Sequence, residues 1–571
     1  MTLRIRRETG LLLTWLSVIT LTMPLQPILA EGRPEQLHCA KPTPQQVDWL
    51  SRNSMFICLD PCTWQGKEYD DHSLSASAIN PKKLDTNQWC EVARSWGASQ
   101  LLFVAKHTGG FCWWQTDTSK YGVKESSYKG GNGDVLAELA ESARAHGLKM
   151  AIYVSPIDDQ WRAGPGGRTA NPDDQLKYNE VYRQQMIEVL SKYGPMVEVW
   201  FDGSLIIPVQ DIVEQYAPTA MQFQGPHATI RWSGNENGIA PYPTWQTVRK
   251  ADAESGIATA AHSDPNGDVW LPFEINTTLL DHKWFWAPDT DSMMKSLPRL
   301  METYYTSVGR GCPLLLNSTP DTTGLIPDSH VARYKEFAAE VQRRFGHAVA
   351  ESKGGTGIEF KLTFPKTSRI NHVILAEDVR EGQRIREYVV EGLQGNQWIT
   401  LVPNGSSVGY KRIDRFPTQE VTALRLRVTK SADEPIVTRL AAYAVEGIEE
   451  ELNATQESDN AIERDWVEVI AWTPELIEQN HGIFDISKHI KKPGEFRMTI
   501  TDAEGNLVEM ENVELFIQDR LAKDRVRKNS HEDSEYLLYR MEQVTKETPT
   551  KLKIVPRDKT VKGTVRLRLA K

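Results

Sequence analysis

Between about residues 50 and 330, short apolar runs alternate with longer segments of helical periodicity, and that alternation confines the chain to parallel strands joined by helices. Ser99-Gln-Leu-Leu-Phe-Val-Ala105, Lys149-Met-Ala-Ile-Tyr-Val-Ser155 and Met196-Val-Glu-Val-Trp-Phe-Asp202 read as strands buried on both faces. Between them, Asp134 to His146 places Val135, Leu136, Leu139 and Ala143 on one helical face, and Gly147 follows as a stop. Further helices are expected from about Asp173 to Tyr193 and from Ser292 to Val308, the latter running into the strand Cys312-Pro-Leu-Leu-Leu-Asn317. Repetition of this unit favours a (β/α)8-like barrel of the TIM type over an open sheet. In such a barrel the chemistry lies where the strands end.

The rest of the chain has another texture. Residues 1–30 read as a signal peptide: Arg4, Arg6 and Arg7 form a positive start, Leu11 to Met23 an apolar run, and Ala30 a cut site. That run is too short to span a bilayer, no later stretch is apolar enough, and export to a periplasmic or extracellular location is expected. Residues 31–346 are assigned to the barrel domain. Residues 347–447 show short alternating strands, as in Ile370-Asn-His-Val-Ile-Leu375 and Leu424-Arg-Leu-Arg-Val428, and read as a β-sandwich. The acidic stretch 448–462 reads as a linker, and 463–571 as a small β-rich domain without a recognised role.

Charge and cysteine content narrow the ligand. A net charge of -10 argues against a nucleic-acid partner. Cys58-x-x-x-Cys62 lacks a second pair at ligand spacing, so neither a metal nor another cofactor is expected. The six cysteines allow disulfides whose pairing cannot be read from spacing. Seventeen tryptophans exceed what most cores of this size use, and indole faces suit the C–H faces of sugar rings, although most should be core.

The expected strand ends carry Lys106-His107-Thr-Gly-Gly110, then Ser155 and Asp158, then Asp202-Gly203-Ser204. Asp202 closes an apolar strand between Phe201 and Gly203, which desolvate it and leave room for close approach. Several further segments fall in one order: Asn80-Pro-Lys-Lys-Leu-Asp85, Ala105-Lys-His-Thr-Gly-Gly-Phe-Cys-Trp-Trp114, Trp200-Phe-Asp-Gly203, Arg231-Trp-Ser-Gly-Asn-Glu-Asn-Gly238, Phe273-Glu274, Lys283-Trp-Phe-Trp286 and Tyr304 to Asn317. Together they resemble glycoside hydrolase family 29, the α-L-fucosidases, in the branch acting on α-1,3 and α-1,4 linkages.

The resemblance implies a retaining exo-hydrolase that removes terminal α-linked L-fucose from oligosaccharides or glycoconjugates by double displacement. It places the nucleophile at Asp202 and the acid/base at Glu236, with Glu274 as the alternative. Either acid needs a raised pKa, for which Trp232, Trp270 or Phe273 would supply the apolar surroundings. His107 matches a sugar-binding histidine, and Trp113, Trp114, Trp200 and Trp286 are the aromatic candidates for the pocket. Adjacent side chains on an extended segment point opposite ways, so one of Trp113 and Trp114 should line the pocket, and Trp284 and Trp286 pose the same choice. Where many members have two consecutive histidines this chain has His107-Thr108, and Cys58 and Asp60 stand where another histidine is common. Those departures leave two alternatives: an α-L-galactosidase, or a glycan-binding protein without turnover. The resemblance extends to the sandwich, which is similar to discoidin-like modules that bind carbohydrate or brace the barrel.

Overall fold

The computed structural model describes residues 39–254, 263–447, 451, 467–490, 496–502, 508, 510–522, 526–528, 535–538 and 548–569; the signal-peptide reading and most of the linker reading lie outside the described residues. Eight strands form the first sheet: β1 (Ser54–Ile57), β2 (Gln100–Lys106), β3 (Lys149–Val154), β4 (Met196–Trp200), β5 (Met221–Phe223), β6 (Arg231–Trp232), β7 (Phe273–Thr277) and β8 (Leu314–Ser318). They pair in parallel in the order β5-β4-β3-β2-β1-β8-β7-β6, and a parallel bridge from Phe223 to Ile230 brings the two ends together into a nearly closed barrel.

Alternation along these strands builds two cores at once. Phe56, Leu102, Val104, Ala151, Tyr153, Trp200, Met221, Phe223 and Leu315 fill the interior. Their neighbours Met55, Ile57, Leu101, Phe103, Ile152, Val199, Leu314 and Leu316 face outward against the helices. Burial on both sides is why the strands are apolar throughout, at about 1.5–3 kcal/mol for each large side chain removed from water.

The helices that cover the barrel begin where the sequence supplies caps. In α1 (Pro44–Trp49), Thr43 and Gln46 form a capping box, and Gln46 also donates to the carbonyls of Thr229 and Trp270, residues just ahead of β6 and β7. That helix therefore closes the N-terminal end of the barrel. Around the outside lie α2 (Thr86–Ser95), α3 (Val135–Ala145), α4 (Pro172–Ser191), α5 (Gln210–Tyr216), α6 (Leu297–Thr306) and α7 (Asp328–Phe345). The Asp134 carboxylate caps α3 and Gly147, at φ 68°, ends it in the left-handed region. Helix α6 starts five residues later than its periodicity suggests. Ser296 accepts from the Arg299 amide as N-cap, and Pro298, lacking an N–H, sits in the first turn.

Residues 350–443 form a seven-stranded antiparallel sheet whose longest strands, Glu359–Glu377 and Arg412–Ser431, change register between Thr363 and Ser368 and between Ile370 and His372. Phe360, Leu362, Val373, Leu375, Val390 and Leu426 form its core. It is bonded to the barrel side through Gln383, which accepts from the Gln246 amide at 2.7 Å and donates to the Thr244 carbonyl at 3.0 Å. Towards the C-terminus, five- and four-stranded sheets pack around Ile470, Trp472, Met498, Leu515 and Ile554.

Candidate active site

A cavity of about 150 Å³ opens at the C-terminal tips of the barrel strands, lined by Asp202, Glu236, His107, Tyr153, Trp200, Trp232, Trp284 and Phe285 among others. Its size is below that of drug-sized pockets and fits one small ligand.

Asp202 stands two residues beyond β4, where the alternation through Glu198 and Trp200 turns it inward. The following Gly203 and Ser204 both take left-handed backbone, at φ 78° and 75°, and Gln224 accepts from the Ser204 amide at 3.0 Å. A left-handed serine is costly, so the turn that presents Asp202 is held against strain. Burial raises the Asp202 pKa above its ordinary value, while the Tyr153 hydroxyl, 3.0 Å from Oδ2, and the Gly203 amide stabilise the anion.

Glu236 arrives on the loop after β6. Asn235 ties that loop to itself, donating to the Ile239 carbonyl at 2.8 Å and accepting from the Asn237 amide at 3.0 Å. Gly238, at φ 78°, lies so close to α6 that a Cβ there would sit 2.6 Å from Thr303 Cγ2. The exposed Glu236 carboxylate accepts from Trp284 Nε1 at 3.0 Å through Oε2, leaving Oε1 for other partners.

His107 reaches the cavity through an irregularity. Val104 pairs with Tyr153 but Lys106 pairs with Val154, so one extra residue enters β2 and the facing pattern shifts by one. Lys106 then turns outward to Asp158 at 2.9 Å and Gln185 at 3.0 Å, and His107 turns inward. Burial lowers the imidazole pKa to about 4, against the pull of Asp70, so the ring is neutral at pH 7. It packs on Phe285 at 4.9 Å and stacks on Tyr69 at 5.7 Å. Trp200 forms part of the wall, stacked on Phe223 with centroids 3.7 Å apart and its indole N–H fixed by Glu198 at 2.7 Å.

Four of the expected residues lie elsewhere. Trp113 and Trp114 lie on a bend and both belong to the core: Trp113 packs on Trp64 and Phe111, and Trp114 donates to Glu188 of α4 at 2.9 Å. Neither has any exposed surface. Trp286 is half-buried outside the cavity lining, and Trp284 and Phe285 occupy the wall instead. Glu274, the alternative acid, is buried below the cavity on β7, its pKa driven far up by burial and by its neighbour Glu198. A raised pKa without access to substrate does not make a catalytic acid. The motifs also gave no sign of Glu68, Tyr69, Gln224 and Asn276, all in the lining. Glu68 accepts from the Trp284 amide at 2.8 Å, and Asn276 from Trp232 Nε1 at 3.0 Å. Asp202 and Glu236 both contribute to raising the Tyr69 pKa after burial, which sets the phenol near both carboxylates.

Among the described residues no group of three or more His, Cys, Asp or Glu could hold a metal ion, all six cysteines are free thiols, and no helix is long and apolar enough to cross a membrane.

Carboxylates and aromatic rings around a single-ligand cavity at the strand tips of a parallel barrel define the class, a barrel glycoside hydrolase. The model of the family described as alpha-L-fucosidase matches residues 44–343. Alpha-L-fucosidase 1 of Arabidopsis thaliana is 30% identical over 452 residues, covering 70% of this chain and 87% of its own. A solved structure from Bacteroides thetaiotaomicron, described provisionally as an α-L-fucosidase, is 31% identical with a TM-score of 0.66, covering 72% of this chain and 100% of its own. A glycoside hydrolase 29 family member from an unknown rumen bacterium is 25% identical with a TM-score of 0.64, covering 94% of this chain and 97% of its own. The chain belongs to the α-L-fucosidase family of glycoside hydrolases.

Proposed function

We propose that the protein is a retaining exo-α-L-fucosidase for α-1,3 and α-1,4 linked fucose at the ends of oligosaccharides or glycoconjugates, with Asp202 as nucleophile and Glu236 as acid/base. The observation that carries this reading is that these two carboxylates line one cavity sized for a single small ligand, one desolvated on a strand tip and one on a braced rim loop. In the first step an Asp202 oxygen bonds to the anomeric carbon as the bond to the leaving oxygen breaks, and Glu236 gives that oxygen its proton. In the second, Glu236 takes a proton from water, whose oxygen displaces Asp202 with net retention. Tyr153 and the Gly203 amide favour ionised Asp202, and Trp284 fixes Glu236 through one oxygen. Neutral His107 is suited to hydrogen-bond sugar hydroxyls without adding charge.

The branch assignment rests on the Arg231 to Gly238 motif and the position of its glutamate on the cavity. For the sandwich we favour a discoidin-like brace, since Gln383 and Ser407 hold the Thr244 segment from that side. Export is proposed from the Arg4, Arg6, Arg7 start and the apolar run after it.

The test is a panel of α-1,2, α-1,3, α-1,4 and α-1,6 fucosylated oligosaccharides beside aryl α-L-fucoside and aryl α-L-galactoside, with the first-formed anomer read by proton NMR. Release from the 1,3 and 1,4 compounds with an α first product is expected. Faster turnover of the galactoside gives the substrate to L-galactose, a β first product removes the double displacement, and binding of fucose without release of product removes catalysis.

A further inference from the structure

Lys295 is a buried ammonium on the segment leading into α6, and its side chain meets no carboxylate within ion-pairing distance among the described residues. Its three N–H protons have three acceptors: Thr277 Oγ1 at 3.2 Å, Thr278 Oγ1 at 3.0 Å and the Thr278 carbonyl. Its own amide donates to the Leu279 carbonyl at 2.9 Å, so the residue is fastened along the chain leaving β7. A desolvated, unpaired ammonium is costly and calls for a reason.

The reason lies on the far side of Thr277. That buried hydroxyl donates at 2.8 Å to the backbone carbonyl of Glu236, and Asn237 bridges the Thr277 backbone beside it. A hydroxyl has one proton and otherwise only acceptor capacity. Since an ammonium can only donate, Thr277 must accept from Lys295 and its single proton is committed to Glu236. We propose that Lys295 is a positioning residue that, through Thr277, clamps the Glu236 loop over the cavity. The inference rests on Glu236 being the acid/base.

A pH dependence follows from the same geometry. Asp281, Arg299 and Glu236 are the charged groups that act on the Lys295 ammonium, and Arg333 of α7 donates to its carbonyl. Burial outweighs the help of Asp281 and lowers the Lys295 pKa to about 8. Below that pH the amine is charged and Thr277 is locked. Above it the neutral amine can accept, the Thr277 proton is free to turn towards it, and the Glu236 carbonyl loses its donor.

The experiment compares wild type, Glu236→Gln, Lys295→Met, Thr277→Val and Thr277→Ser on a fucoside with a good leaving group, such as the 2-chloro-4-nitrophenyl compound, and on a fucosylated disaccharide. Glu236→Gln first tests the reading beneath, read as kcat/KM because that reports the first step while both substrates share the water-activating second one: a loss of kcat/KM confined to the disaccharide supports it, and equal loss of kcat/KM on both substrates removes it together with the clamp. Given the first outcome, Thr277→Val and Lys295→Met should each lower kcat/KM on the disaccharide about tenfold, as expected for a small misplacement of a reacting group, with less than about twofold change in kcat/KM on the aryl compound. The double variant should lose no more than either single one, Thr277→Ser should recover wild-type rates, and the fall in disaccharide kcat/KM above pH 8 should flatten in Thr277→Val. Equal loss on both substrates, additive losses in the double variant, or wild-type behaviour of Thr277→Val overturns the clamp while leaving the Glu236 assignment intact. Thr277→Val is near-isosteric, so it decides the matter even if Lys295→Met fails to fold.

Discussion

The barrel holds two sets of carboxylates that differ in what surrounds them. At the rim, Asp202 and Glu236 border the cavity. Deeper in, Glu198 and Glu274 are sealed: Glu198 accepts from Trp49 Nε1, Gln100 Nε2 and Trp200 Nε1, each at 2.7 Å, and burial together with Glu198 drives the Glu274 pKa far up. Glu198 and Asp202 come from the same chain segment four residues apart, so strand geometry points both inward. The difference lies in partners and access: donors on every side make Glu198 a hub that fixes Trp200, while one phenol, one amide and an open face leave Asp202 reactive.

Asp202→Ala gives the sharpest break between the two sets. It should remove turnover by on the order of 10⁴-fold or more, as loss of a group central to a catalytic unit does. External azide should restore part of the rate, with the β-fucosyl azide identified by NMR. Asp202→Asn should be nearly as inactive but more stable. The Asp202 pKa is raised in the fold, so its contribution is present below the unfolded carboxylate pKa of about 3.9 and is lost as pH rises through the folded value. Calorimetry should therefore show an Asn-variant advantage at pH 7 that vanishes near pH 3; the reverse trend contradicts the desolvated anion.

Tyr153→Phe acts on the same anion by a smaller amount. Losing a hydrogen bond to a charged group, about 1.5–3 kcal/mol, should raise the Asp202 pKa by roughly one unit or more. The acid limb of kcat/KM should move to higher pH while the plateau changes less. A limb that stays in place would mean that another group controls it.

Much of this was readable from pattern alone, because burial on both faces writes parallel strands as apolar runs and puts Asp202 at the end of one. Glu236 was readable only as part of a motif, since an exposed loop carboxylate has no periodic signal. Alternation applies to an extended segment, whereas Trp113 and Trp114 lie on a bend, and sequence does not say that Trp64 and Phe111 pack on one and Glu188 of α4 accepts from the other. His107 depends on one extra residue in β2, and Glu68 and Tyr69 reach the cavity on a loop held by Asp70, which accepts from Gln65 at 2.7 Å and from the Tyr121 hydroxyl at 2.5 Å. The Tyr121 contact joins segments about 50 residues apart, beyond the reach of local spacing.

Glu198→Gln sharpens the comparison from below. An amide offers one acceptor oxygen where three donors converge, so at least one buried indole or amide N–H is left facing an NH2 group. That should cost about 1–3 kcal/mol and lower the melting temperature by several degrees. Trp200 loses its tether, so KM should rise more than kcat falls.

Glu274→Gln should change least. Burial and Glu198 raise its pKa and so favour the acid form, whose one donor faces Glu198, and a glutamine amide supplies a donor of nearly the same shape. Activity on aryl fucoside and disaccharide should stay within roughly threefold of wild type, because no reacting atom lies near Glu274 and proton transfer needs contact. Its pKa is raised in the fold, so wild type keeps the stability of this group only below the unfolded value of about 4.3 and loses it progressively as pH rises towards the folded one. Glutamine never ionises in either state. The variant should therefore match wild type near pH 4 and gain on it towards pH 8 in melting experiments. A selective loss on the disaccharide would instead move the acid/base from the rim to the sealed set and undo the division between them.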